Sequence, residues 1–264
     1  MILSYTIDND NHLSVKQILK EHFKISDRLL LKLKRNNKIL LNNSIVTINT
    51  ITNKDDILEI SFEYDENNSN IIPTKMDIKI IFEDDSMLIV NKAAGVAIHP
   101  SCQHFDNSLS NGIRFYFDSI GLNKKVRPVN RLDKDTSGLV IFAKNEYVQE
   151  CLIKQMKTKN FIKEYLAILQ GYLQNYMGII NAPIARKENS IIERCIDSKG
   201  EIAITHYEVI QKLQSNLSLV KFTLETGRTH QIRVHSKYIG HPILGDTLYR
   251  KWIKTYLKAS SSCI

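Results

Sequence analysis

The sequence predicts an α+β protein. Its larger part is a mixed, largely antiparallel sheet with flanking helices, and a smaller module of two helices and short strands precedes it. Three observations carry this. Strand-like segments follow one another with few helical stretches between them, which disfavours a wound βαβ sheet. Two short helix signatures stand close together near the N-terminus. A polar, Asn-rich stretch from Glu63 to Thr74, with Pro73 before the next strand, separates the two regions and has the composition of an exposed linker.

Ser14-Val15-Lys16-Gln17 has the form of a capping box, and Val15, Ile18 and Leu19 follow at helical spacing. Ser26 is placed to cap a second helix whose buried stripe is Leu29, Leu30 and Leu33, leaving Arg28, Lys32, Lys34 and Arg35 as a basic face. Ile39–Leu41, Ile45-Val46 and Ile57–Ile60 read as short strands around tight turns. Beyond the linker, Ile78–Phe82 and Met87–Asn91 form a hairpin about a turn at Glu83–Ser86. Leu139–Ala143 is a strand, and Asn145 caps a helix carrying Val148, Leu152 and Met156. Glu164–Leu169 and the alternating Leu217–Glu225 are later strands, and Thr229 is placed to cap a helix closed by Gly240 and Pro242.

The chain has 264 residues, room for one large domain and one small one, and its 43% hydrophobic content suffices for a packed core, as in a soluble globular protein. Its formal charge of +8 suits a polyanionic partner. No stretch approaches the roughly 20 apolar residues of a membrane span, and no export signal is apparent. Cys102, Cys151, Cys195 and Cys263 are scattered without paired spacing, which points to reduced thiols and a cytoplasmic location. His99, Cys102, His104, His230 and His235 match no zinc-site spacing, so no metal is expected, and isolated Gly138 and Gly227 make no nucleotide cradle.

The most informative stretch is Asn130-Arg131-Leu132-Asp133-Lys134-Asp135-Thr136-Ser137-Gly138 ahead of its strand. It resembles the catalytic motif of the RluA-type pseudouridine synthases. Lys163-Glu164-Tyr165-Leu166 resembles the second motif of that family, and Thr226–His235, containing Arg233, the third. The segments His99-Pro100-Ser101 with His104, and Gly245–Tyr249, look like family framework, so the resemblance runs over roughly residues 77 to 249. The first 62 residues resemble an S4-like RNA-binding domain. The domain organisation expected is then 1–62 S4-like, 63–76 linker, 77–250 catalytic, and 251–264 an atypical tail.

The resemblance implies isomerisation of specific uridines in structured RNA, with large-subunit ribosomal RNA ahead of transfer RNA as substrate, without a cofactor and by a monomer. It makes Asp133 the catalytic carboxylate, Tyr165 the residue stacked on the target base, and Arg233 the partner of the aspartate. Arg131 would fill the space left by a flipped base. Lys134 and Asp135 shape the loop. Asn130 stands where many members have histidine, and Ala93 where proline is frequent. Arg250 replaces a usual glycine, and the following Lys251–Lys258, a short amphipathic helix by pattern, does not resemble the family's further strand. A non-catalytic RNA-binding protein, or an inactive truncated remnant, is the alternative. A glycoside hydrolase is a weaker one, since only Asp133 has a catalytic context.

Overall fold

The computed structural model describes residues 1–8, 11–101, 104–158 and 160–249, so the tail from 251 onward lies outside the described residues. The chain divides into two compact units, Met1–Lys154 and Gln155–Ile264. Every paired strand named below is antiparallel, which gives the expected α+β class.

The first unit opens with a four-stranded sheet in the order β1-β4-β2-β3, formed by β1 (Ile2–Thr6), β2 (Ile39–Leu41), β3 (Ser44–Ile45) and β4 (Ile57–Ser61). Helices α1 (Val15–Glu21) and α2 (Asp27–Arg35) pack on it. Both begin as the sequence expects. Ser14 and Gln17 close a capping box, and the Ser26 hydroxyl accepts from the Leu29 amide. Val15, Ile18 and Leu19 of α1 and Leu29, Leu30 and Leu33 of α2 join Leu58, Ile60 and Phe62 in one core. Arg28, Lys34 and Arg35 are exposed. Lys32, expected beside them, instead turns inward.

The reason is Glu66. The polar stretch expected to be an exposed linker folds back, and the Glu66 side chain is only 3% exposed. Both Glu66 oxygens accept from Arg127, Nη1 and Nη2 each at 2.6 Å, and Arg127 is itself 6% exposed. Lys32 Nζ binds Glu66 too, and lies 2.8 Å from Glu146 Oε1 on α4 (Glu146–Gln155). Glu146 also accepts from the Tyr64 hydroxyl at 3.0 Å and faces Arg127 at 3.3 Å. Asn68, equally buried, receives the Val126 amide. Ser26 to Glu150 at 2.6 Å, and Phe62 stacked on Tyr147 at 5.4 Å, extend this seam between the N-terminal sheet and α4.

The remainder of the first unit is a three-stranded sheet, β5 (Lys79–Glu83), β6 (Met87–Lys92) and β7 (Gly138–Ala143), with α3 (Leu109–Ser119) against it. The β5–β6 hairpin is as expected, its turn fixed by Asp84 accepting from the amides of Ser86 and Met87. Asn145 caps α4 through the Val148 amide at 2.9 Å. Helix α3 falls where no element is expected from sequence, although Leu109, Ile113 and Phe117 recur at four-residue spacing and are all buried.

The second unit is a four-stranded sheet ordered β8-β13-β12-β9 and a separate pair, β10 (Ile184–Arg186) with β11 (Arg194–Ile196). The four are β8 (Glu164–Gln170), β9 (Met177–Asn181), β12 (Ile204–Leu213) and β13 (Leu217–Leu224), and β13 alternates strictly between half-buried and buried. Helix α5 (Gln231–Tyr238) follows, buried through Gln231, Val234, His235 and Ser236. Among the described residues no helix is long and apolar enough to cross a membrane.

Burial pushes the Glu66 carboxyl up, but its hydrogen bonds to Arg127 and Lys32 outweigh that and hold it at about 2, against an ordinary 4.5. A depressed carboxyl stabilises the fold above its unfolded pKa and loses that contribution as pH falls through the folded one. Glu66→Gln is therefore expected to cost about 3 kcal/mol at pH 7, the low end for breaking a buried pair because Glu146 still faces both cations. In urea titrations the gap from wild type should close between pH 4.5 and about 2. A gap independent of pH would show that packing, not the carboxylate charge, holds the seam.

Candidate active site

The segment carrying Asp133 is a loop between two antiparallel runs of backbone. On its approach, Val129 N donates to Ile141 O at 2.7 Å and Ala143 N to Arg127 O at 2.9 Å, so residues 127–129 lie along β7. Asn130 continues that ladder with its side chain. Its Oδ1 accepts from Ile141 N at 2.8 Å and its Nδ2 donates to Leu139 O at 2.9 Å, so the side-chain amide acts as a backbone surrogate. The loop then turns, Thr136 N donating to Asp133 O at 3.1 Å, and re-enters β7 through Gly138 at φ 130, a conformation that side chains disfavour. Leu132 points into the core of the three-stranded sheet. Asp133 is half-buried beside it, and Arg131 is exposed.

What fixes the loop from below is Lys92, a residue to which the sequence alone assigns no role. It ends β6 on the buried phase of the strand, after Leu88 and Val90, and is 1% exposed. Its ammonium donates to three carbonyls, Ala93 at 2.9 Å, Val96 at 2.8 Å and Lys134 at 2.8 Å, which uses all three of its protons. Gly95 N also donates to Lys134 O, at 2.9 Å. Burial lowers the Lys92 pKa, and the charges of Asp135 and Asp133 oppose that shift. The residue after Asp133 is thus pinned to a buried cation, and its field falls on the Asp133 carboxylate. Nearby, burial and then the Arg131 guanidinium lower the His99 pKa, favouring a neutral ring.

Tyr165 and Arg233 lie in the second unit. Tyr165 is on β8, in register with Phe222 of β13, and packs half-buried against the core of that sheet. Arg233 is on α5. Asp246 holds its guanidinium in a two-point contact, Nε to Oδ2 at 2.7 Å and Nη2 to Oδ1 at 2.9 Å, a geometry that fixes the plane as well as the position. Asp246 is 4% exposed, and its Oδ1 also receives the amides of Leu248 and Tyr249 at 2.9 and 3.0 Å. Burial acts to raise its pKa, but Arg233 and these two amides prevail and lower it. The Arg233 guanidinium lies 4.9 Å above the Tyr249 ring. The Tyr249 hydroxyl accepts from Arg194 N at 2.8 Å and meets His230 Nδ1, also at 2.8 Å.

The start of α5 differs from the expectation. Its cap is His230, at φ 60, and Thr229 is exposed outside the helix. No side chain caps the helix; instead Gln231 braces its approach, its Oε1 accepting from the Thr226 hydroxyl and the Arg228 amide and its Nε2 donating to Ile204 O and Thr205 Oγ1. Gly240 does end the helix, in a left-handed conformation. His235, weighed as a metal ligand, spends both ring nitrogens within the core. Its Nε2 donates to Ala182 O at 2.9 Å, and its Nδ1 meets Thr205 Oγ1 at 2.9 Å. Burial lowers its pKa, with Ala182 opposing, which fits a neutral ring accepting from the threonine. Among the described residues no group of three or more His, Cys, Asp or Glu is arranged to hold a metal ion, and Cys102 is not among them.

Comparison with known proteins agrees with these motifs. Residues 86–238, which include Lys92, Asp133, Tyr165 and Arg233, match the family described as RNA pseudouridylate synthase. The chain is 39% identical over 233 residues to the "Uncharacterized RNA pseudouridine synthase YhcT" of Bacillus subtilis (strain 168), covering 88% of this chain and 77% of that one. It is 34% identical over 222 residues to the ribosomal large subunit pseudouridine synthase D of Blochmanniella floridana, covering 81% and 68%. Among solved structures, human RNA pseudouridylate synthase domain containing 1 aligns with a TM-score of 0.55 and 28% identity over 66% of this chain and 70% of that one. With its family motifs on a largely antiparallel α+β frame, this chain belongs to the RNA pseudouridylate synthase family.

Proposed function

We propose that this chain, an RNA pseudouridine synthase, isomerises uridines in ribosomal RNA of the large subunit, with Asp133 as its catalytic carboxylate. The substrate follows from relatives named as large-subunit pseudouridine synthases. The observation that carries the site is the anchoring of the Asp133 loop by the buried Lys92 ammonium. A loop with only a structural role has no need of so rigid a support directly beneath a half-exposed carboxylate.

The reaction breaks the bond between the ribose anomeric carbon and a ring nitrogen of uracil, turns the base, and joins the same sugar carbon to a ring carbon. One proton leaves that ring carbon and one is gained at the nitrogen, so no electrons are transferred and no cofactor is needed. The anomeric carbon becomes electron-poor on the way. A carboxylate there acts as nucleophile or as electrostatic stabiliser, as in glycoside hydrolysis. Asp133 has that role in this reading. Arg233, its plane set by Asp246, is the partner of that carboxylate in this reading. Tyr165 offers a flat face to the uracil and assists removal of the ring-carbon proton. Arg131, exposed two residues before Asp133, occupies the gap left by the flipped base.

The N-terminal helix pair and small sheet serve as an S4-like RNA-capturing module, acting as a monomer in the cytoplasm. Arg28, Lys34 and Arg35 supply its exposed charge, while Lys32 serves the Glu66 cluster. No observation favours the non-catalytic alternative.

Two outcomes are expected. Asp133→Asn should lower product formation on the order of 10³-fold or more while RNA affinity stays within about twofold. Retained activity in that variant, measured by mass-spectrometric mapping of pseudouridine in ribosomal RNA, would remove Asp133 from the chemistry. Lys92→Met fills the same space but removes the ammonium's bonds to three carbonyls, of which Lys134 O keeps the Gly95 amide. It should cost about 3 kcal/mol of stability and lower kcat more than it raises KM. A stable variant with wild-type kcat would show that the loop needs no such anchor.

A further inference from the structure

We infer that the second unit carries a binding cleft for the RNA phosphodiester backbone, formed by Arg186, Arg194, Lys199 and Arg228. The inference rests on the RNA reading above and adds to it a place where the strand is held by residues other than Asp133, Tyr165 and Arg233.

The cleft is open to solvent, has a volume of about 360 Å³, and is lined by β10, β11, the turn at Lys199-Gly200-Glu201 and the segment Gly227–Thr229. Four of its side chains are cationic and one, Glu201, is acidic. That acid is bound to Arg228 Nη1, so it offsets one cation and leaves three. Arg186 and Arg194 stand directly opposite each other across the β10–β11 pair. Residues so paired project from the same face, and like charges in that position destabilise the pair. The fold gains nothing from the arrangement. An anionic ligand between the two guanidinium groups reverses the sign of that energy.

The charges are also held in place. Arg194 Nη1 donates to Ile192 O at 3.3 Å and Glu193 O at 3.2 Å, and its backbone amide is bound to Tyr249. Arg228 Nε donates to Ile202 O at 3.0 Å. Gly200 lets the turn bearing Lys199 approach β10, since a Cβ there would meet the Ile184 carbonyl carbon at 2.5 Å and Ala185 N at 2.8 Å. An open, polar cleft with spaced fixed cations suits a chain passing through it. Arginine forks match phosphate oxygens in geometry as well as charge. Arg228 and Thr229 lead directly into α5, which carries Arg233, so a strand held here is tied to the element presenting that arginine.

The test uses the full chain and a labelled transcript of large-subunit ribosomal RNA on which the wild type forms pseudouridine. The double variant Arg186→Ala/Lys199→Ala removes two exposed charges without touching a hydrogen bond named above. It should weaken binding about tenfold at 0.15 M salt and reduce the slope of log affinity against log salt by about 1.5 to 2, near 1 per lost phosphate contact. In turnover, the loss should fall on KM more than on kcat. Arg186→Lys/Lys199→Arg should restore the slope, and Lys79→Ala, on β5, should leave it unchanged. An active wild type whose slope survives the double variant overturns the cleft alone. So does a slope that falls equally in Lys79→Ala, which reports net charge only. A wild type that neither binds nor modifies ribosomal RNA overturns both the cleft and the reading on which it rests.

Discussion

A cation buried under the Asp133 loop is the constraint on which the functional part of the first unit depends. Moving an ammonium out of water costs several kcal/mol, and Lys92 is nearly fully buried. The fold offsets this by turning three carbonyls toward it, from Ala93, Val96 and Lys134. Because each carbonyl has to be where the ammonium is, the end of β6, the turn after it and the loop before β7 are held in register with one another. Asp133 is one residue from the last of these carbonyls. Its backbone position is therefore tied to the desolvation of a neighbouring charge.

The same physics operates at the other end of that unit with the sign reversed. Glu66 is a buried anion, and Arg127, Lys32 and the neighbouring Glu146 gather around it. Arg127 begins the backbone run that lies along β7 and leads into the Asp133 loop. Lys32 sits on α2 and Glu146 opens α4. One carboxylate thus connects the N-terminal helix pair to the strand that delivers the candidate catalytic loop. A flexible tether would let the two modules reorient freely. This cluster gives them a fixed relation within the unit, which is what a capturing surface needs if RNA held on it is to be presented in one register.

What was legible in the sequence and what was not divides along the range of the interactions. The Ser14 capping box, the Ser26 cap, the Leu29, Leu30 and Leu33 stripe, the β5–β6 hairpin and the alternation of β13 are local patterns, and the structure has them where the sequence puts them. The α+β class follows from their order. The motifs around Asp133, Tyr165 and Arg233 were readable as family resemblance. Their supports were not, because each is non-local. Lys92 meets Lys134 across 42 residues, and Glu66 meets Arg127 across 61. Polar composition around Glu66 reads as solvent exposure unless the distant cations are known. One clue was available for Lys92, since it continues the buried phase set by Leu88 and Val90. Thr229 lost the cap to His230, which sits at φ 60, while Gln231 braces the approach to the helix through the Arg228 amide and Ile204 O.

Arg233 has the converse arrangement to Asp133 and reaches the same end. Its guanidinium is the functional group, and the buried partner is the carboxylate of Asp246, itself fixed by two backbone amides at the end of the framework segment. A long arginine side chain has much rotamer freedom to lose on binding. The two-point contact and the Tyr249 ring beneath it remove most of that freedom in the folded protein, before any RNA arrives. Asp133 and Arg233 are therefore each set by a buried charge in their own unit, through Lys92 and Asp246 respectively. A reaction that develops charge at a sugar carbon gains most from groups that need not reorganise when that charge appears. Supports of this kind leave binding energy from the RNA free for flipping the base, instead of for assembling the groups that act on it.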